Sequence, residues 1–367
     1  MANTVFQYSS DEFTLCTPPW DDKKQWNLSK FDQMLQSKWT QAMEGGHFRY
    51  TLDHVVTRVI PGKRHYVSQL NVKRGVERRK PQVIDSVNQQ FNPDIFNFTK
   101  IKPSEVLFEL CPTHWGQRSN GVKDVISNGA KEDEEQARER NLVIINISPL
   151  EFCNALLVPD VDGCTNQVIT PKLLRLAIEM MLLSSHPGFR IGFNSLCAYA
   201  SVNHQHVHAY YCNYEFYIEH AKVKEVHDGM YELVDTPARG FAFQLDELPM
   251  ETLIRRIYEI TEYFQRQNIA HNLMLVRGPR FGEDRTSKNR TIRLNLWPRR
   301  PVYGAKNEDI FNIAVAELGG HLPIKVTKGF ENITEEEIDG NLQEASLSQE
   351  QFEEIKCALI NLETQQT

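Results

Sequence analysis

The chain has 367 residues, 41% of them hydrophobic, and a formal net charge of −7. That is enough for one large or two modest domains with a real core, and it argues against nucleic acid or an anionic membrane as partners. No run approaches the roughly 18 apolar residues of a membrane span. The N-terminus lacks a secretory pattern, and seven cysteines without a Cys-x-x-Cys pair suit reduced thiols in the cytoplasm.

In chain order, Phe31, Met34, Leu35, Trp39 and Met43 recur at helical spacing and end at Gly45-Gly46, which predicts an amphipathic helix. Strands are expected over 54–60 and 66–71, forming a hairpin about Pro61-Gly62. Val59-Ile60-Pro61-Gly62-Lys63 is no phosphate loop, because Thr57 and Arg64 stand where glycine and Ser/Thr belong. The basic cluster that follows, from Lys73 and Arg74 to Lys80, reads as a solvated loop before it reads as a phosphate site. After a strand over 105–110, the charge-rich, core-poor stretch 116–140 is expected to be a flexible insertion. Two buried strands, 142–147 and 155–159, a helix from Pro171 to Ser185, and strands over 189–194 and 202–211 complete the first half. A helix from Glu251 to Gln267 and strands over 272–276 and 291–297 repeat that helix, strand, strand order without histidines. The tail carries two capping-box patterns, Thr334 with Glu337 and Ser348 with Gln351, and should be helical and docked.

The chemistry lies in His204-Gln205-His206-Val207-His208. In an extended strand these three imidazoles share one face. Three histidines from a single strand span about 13 Å at roughly 3.3 Å per residue and converge poorly on one tetrahedral metal, so no metal is expected here. A neutral imidazole, by contrast, attacks phosphorus at neutral pH without a general base, provided an acceptor holds its other nitrogen. Flanking histidines can stabilise charge on the phosphoryl oxygens. Phosphoryl or nucleotidyl transfer with His206 as nucleophile is the expectation.

The wider context resembles one family. Phe189-Arg190-Ile191-Gly192-Phe193-Asn194-Ser195-Leu196, followed by Ala200-Ser201-Val202-Asn203 and the triplet, is similar to the GDP-hexose phosphorylases of the histidine-triad superfamily, in the branch related to galactose-1-phosphate uridylyltransferase. Phe48-Arg49-Tyr50, Gln69-Leu70-Asn71, Phe96-Asn97-Phe98-Thr99-Lys100 and Asn146-Ile147-Ser148-Pro149-Leu150-Glu151 extend the resemblance over most of the chain. The plant branch has glutamine at the position of His208, so the likeness is to the animal branch and implies GDP-D-glucose. Asn154 departs from the superfamily's usual histidine, which puts the nucleotide contribution of that strand in doubt.

The resemblance implies that His206 attacks the α-phosphorus, that glucose 1-phosphate leaves, and that inorganic phosphate then releases GDP, with no cofactor. His204, His208 and Ser201 would support the phosphates, Asn194, Ser195 and Asn203 would bind nucleotide or phosphate, and Lys63 and Arg74 are the weaker candidates. A GDP-hexose hydrolase, a GDP-L-galactose phosphorylase and an inert GDP-sugar-binding regulator are the alternatives, and the oligomeric state is left open, a monomer included. The expected fold is α+β: an N-terminal segment 1–45, a catalytic histidine-triad-like unit 46–225, a degenerate second unit 226–330 pairing with it as an intramolecular pseudo-dimer, and a helical tail 331–367.

Overall fold

A computed structural model describes residues 4–21, 25–77, 82–113, 139–303 and 311–364. The expected insertion 116–140 lies almost wholly outside these residues, as do Arg78, Arg79 and Lys80 of the basic cluster.

A short strand β1 (Val5–Tyr8) precedes helix α1 (Lys30–Glu44), whose Ser29 side chain accepts from the Asp32 amide while Asp32 reaches back to Ser29. The predicted hairpin is β2 (Val56–Val59) and β3 (Val67–Leu70), paired antiparallel, and β3 runs into a one-turn helix α2 (Val72–Val76). Strands β4 (Val106–Pro112), β5 (Leu142–Ile145) and β6 (Ala155–Val158) form an antiparallel run. Helix α3 (Pro171–Leu183) leads to β7 (Phe189–Asn194) and β8 (Val207–Tyr211). The second half supplies β9 (Val223–His227), β10 (Met230–Leu233), β11 (Phe241–Gln244), α4 (Met250–Arg266), β12 (Ala270–Pro279) and β13 (Arg290–Arg299). After these come α5 (Val315–Gly319), β14 (His321–Ile324), α6 (Thr327–Asn332), α7 (Glu335–Ala345) and α8 (Gln349–Thr364).

Among the described residues eleven strands join in one sheet, in the order β1-β4-β5-β6-β8-β7-β12-β13-β11-β10-β9. From β4 outward the order reads the same from either end: helix, two long strands and three outer strands occur twice, meeting at the antiparallel β7·β12 seam where Asn194 faces Asn272. The expected α+β fold with tandem units is what the chain adopts, and β12 and β13 pair along their whole length.

The sheet is covered on both sides, which is why β7, β12 and β13 are buried at every position. Alternation sorts the faces. Leu273 and Leu275 pack with α3 and α4, while Met274 and Val276 face the small sheet β14-β3-β2 and the following helices. On β8, Val207, Ala209 and Tyr211 join the helical side, so His208 and Tyr210 face the other. Gly192 allows α5 to lie against β7, since a Cβ there would stand 2.6 Å from Val315 Cγ1. The docked tail follows its predicted caps at Thr334 and Ser348, and Phe352 stacks on Phe241.

Candidate active site

The strand expected over 202–211 begins only at Val207. The backbone just before it is bound elsewhere: the Gln205 amide donates to Thr165 O (2.9 Å) and the His206 amide to Gln167 Oε1 (2.8 Å). Gln167 also donates to the carbonyls of Asn194 and His206, tying the loop to the end of β7. A lone glutamine in a loop carries no signal in sequence, and its role was missed.

This tether turns the histidines apart. His206 and His208 line a cleft of about 160 Å³, their rings 5.4 Å apart. His204 instead packs against Phe91 and Phe98, and its Nδ1 accepts the Phe98 amide at 3.1 Å. Burial holds its pKa down to about 4, so it stays neutral at pH 7. The shared face expected of three imidazoles thus holds for two, and His204 contributes through its backbone. Its carbonyl oxygen lies 2.7 Å from His206 Nδ1, and a carbonyl only accepts, so the His206 proton sits on Nδ1 and the lone pair on Nε2.

Ser201 and Asn194 also line the cleft, as does Arg74. Asn194 Oδ1 is taken by the Asn272 amide group (2.7 Å) and the Val315 N–H (2.9 Å), so what it offers a ligand is its NH₂ group. Three expected residues lie elsewhere. The Ser195 hydroxyl donates to Leu196 O and accepts from the His271 amide at the seam. Asn203 accepts from the Gln167 amide and donates to Gln89 O, a loop clamp. Lys63 is exposed and pairs with Asp235 at the hairpin turn. Asn154 is fully buried and holds the turn at Asn146 and Leu150, both of which line the cleft, so its departure from histidine is structural.

The sequence reading missed the wall contributed by the second half: Asn312, Val315, Glu317, Pro323 and Lys325. Glu317 accepts the Ala314 amide (2.9 Å) within α5, and burial raises its pKa to about 7. Tyr199, with φ of 73°, is held in the left-handed region at the cleft rim, under Arg299.

The three imidazoles do not point to one centre, because the His204 ring turns away from the cleft. Among the described residues the group close enough to share a metal ion is Glu151, Cys212 and His321, of which Cys212 and His321 are buried. Gln69 already bridges two of its members, donating to Glu151 and accepting from His321 Nε2 (2.6 Å).

The two-unit α+β sheet places a histidine pair at a cleft beside the seam. Yeast Ap4A phosphorylase Apa2 with bound Ap4A shares the fold, with a TM-score of 0.56 at 12% identity over 87% of this chain and 98% of that one. The particular family follows from sequence: residues 30–210 match the GDPGP1-like N-terminal domain and residues 217–366 the GDPGP1-like C-terminal domain. The chain belongs to the GDP-D-glucose phosphorylase 1 family. It is 41% identical to GDP-D-glucose phosphorylase 1 of Danio rerio, over 96% of this chain and 97% of that protein. The Homo sapiens protein of that name is 41% identical over 92% and 85%. GDP-L-galactose phosphorylase 2 of Arabidopsis thaliana is more distant, at 29% identity over 90% and 76%.

Proposed function

We propose that the chain converts GDP-D-glucose and inorganic phosphate to GDP and glucose 1-phosphate through a guanylyl-His206 intermediate. The observation that carries this reading is the 2.7 Å contact of His206 Nδ1 with the His204 carbonyl, on a ring that lines the cleft. The contact fixes the tautomer, so Nε2 attacks the α-phosphorus as a neutral nucleophile. The P–O bond to the sugar phosphate breaks and glucose 1-phosphate leaves with its electron pair. The leaving group is already an anion of low basicity, so positioning and charge stabilisation can replace a strong general acid. Phosphate then attacks the same phosphorus, the P–N bond breaks, and its electrons return to Nε2.

His208, Ser201 and the Asn194 NH₂ group hold the phosphoryl oxygens in this scheme, while Phe98, Leu156 and Val202 offer apolar contact to the nucleoside. His204 acts as a positioning residue. The first unit, through β8, is the catalytic one, and the second, from β9 onward, is degenerate: it keeps no triplet but closes the cleft with Asn312, Val315, Glu317, Pro323 and Lys325. No described helix is long and apolar enough to cross a membrane, and the cysteines among the described residues are unpaired, which fits the cytoplasm. Product analysis tests the reaction: GDP-glucose should yield GDP and glucose 1-phosphate only when phosphate is present, and GMP as the main product in its presence would contradict phosphorolysis.

A further inference from the structure

Two cations from distant parts of the chain meet at the cleft. Parallel pairing of β14 with β3 places Ile324 opposite Leu70, and the Asn71 amide donates to Ile324 O (2.8 Å). The next residues on each chain are therefore side by side. On one, α2 starts under the Asn71 cap, which accepts the Arg74 amide (3.0 Å). On the other, Lys325 follows β14, and its stem packs on Gly75, where an added Cβ would stand 3.3 Å from Lys325 Cβ. Lys325 is only 8% exposed, and both it and Arg74 line the same cleft as His206. The Arg74 guanidinium is aimed by donation to the Ser148 carbonyl. Glu317 completes the group, and its raised pKa keeps part of the population protonated at neutral pH, so the local field stays positive in a chain of net charge −7.

A buried lysine and a half-buried arginine at one cleft are more than neutral hydroxyls of a hexose or a base require, and they match a phosphate. In a double displacement at one phosphorus, the leaving group departs opposite the histidine and the acceptor enters along the same line. One anion subsite therefore serves both.

We propose that Lys325, with Arg74, forms the subsite that holds the phosphate leaving on the hexose and returning as inorganic phosphate, and that it makes phosphate rather than water the acceptor of guanylyl-His206. This rests on the covalent reading above. In the second step an oxygen of hydrogen phosphate bonds to the α-phosphorus and the P–N bond breaks. The electron pair returns to His206 Nε2 and the acceptor's proton stays on the new β-phosphate. Water needs no such subsite and would yield GMP.

The test uses the partition of a preformed intermediate, which does not depend on how fast it forms. Enzyme is charged with GDP-glucose labelled at the α-phosphorus, freed of substrate, and chased with a series of phosphate concentrations. Labelled GDP and GMP are then counted. In Lys325→Met the phosphate concentration at which half the label leaves as GDP should rise by about 10–100-fold, as loss of a charge-assisted hydrogen bond implies. Lys325→Arg, which keeps the charge, should shift it less. Lys325→Gln keeps a polar stem if the Met variant does not fold. An unshifted phosphate requirement in whichever uncharged variant folds overturns the assignment. Failure of the unmodified enzyme to take label removes the covalent reading and this assignment together, and so is told apart from failure of the subsite alone.

Discussion

His206 Nδ1 lies 2.7 Å from the carbonyl oxygen of His204, so the residue that fixes the His206 tautomer does so with its backbone while its ring serves another purpose. That ring accepts the Phe98 amide, and Phe98 in turn sits 5.1 Å from the His206 ring. His204→Asn keeps the carbonyl and a side-chain acceptor and should retain most turnover. His204→Ala leaves the Phe98 N–H unsatisfied and should cost about 1–3 kcal/mol of stability, read as a lowered denaturation midpoint. Loss of turnover in His204→Asn as deep as in His206→Asn would show that the His204 ring takes part in the chemistry.

Lys63 should be dispensable. Its exposed pair with Asp235 contributes little to stability, and it does not line the cleft. Steady-state kinetics of Lys63→Met should give kcat and KM close to those of the unmodified enzyme.

Gly192 should tolerate no side chain. Gly192→Ala sets a methyl 2.6 Å from Val315 Cγ1, forces α5 away from β7, and should cost about 1–3 kcal/mol as overpacking does. It should also weaken the Asn194 hold on the Val315 amide. Adding Val315→Ala should restore part of the loss, and a double-mutant cycle from denaturant melts measures the coupling.

How much of this was legible in sequence can be followed residue by residue. The helices α1 and α3 and the hairpin β2·β3 announced themselves by period, and Pro, Gly and capping residues gave their ends within a residue or two. His206 was reachable from the spacing of the triplet, and Ser201 and Asn194 only through the family resemblance; all three line the cleft. The direction of the His204 ring was not, since it depends on Gln167 ending the ladder at Val207. Nor were Lys325 and Glu317, which reach the cleft through a parallel pairing across some 250 residues that no local pattern encodes. Ser195 and Asn203 look like site residues in a motif string, yet hydrogen bonds commit them to the seam and the loop.

Glu317 should give the cleft a pH response. Burial raises its pKa from 4.5 to about 7, so the native state binds a proton that the unfolded chain has released. Its contribution to stability is thus present below pH 4.5, falls between there and about 7, and is level above. Thermal melts of Glu317→Gln should fall less over that window. As Glu317 ionises beside Lys325 and Arg74 it also offsets their charge, so the KM for phosphate of the unmodified enzyme, relative to that of Glu317→Gln, should rise as pH passes through 7.

The most direct test of the central claim is to incubate the enzyme with GDP-glucose labelled at the α-phosphorus, without phosphate, and locate the label. A guanylyl-His206 intermediate predicts label on the protein that is acid-labile and alkali-stable, is discharged as GDP by phosphate, and is absent from a folded His206→Asn variant whose turnover has fallen by several orders of magnitude. Label taken up by His206→Asn, or no label on a fully active enzyme, would contradict it.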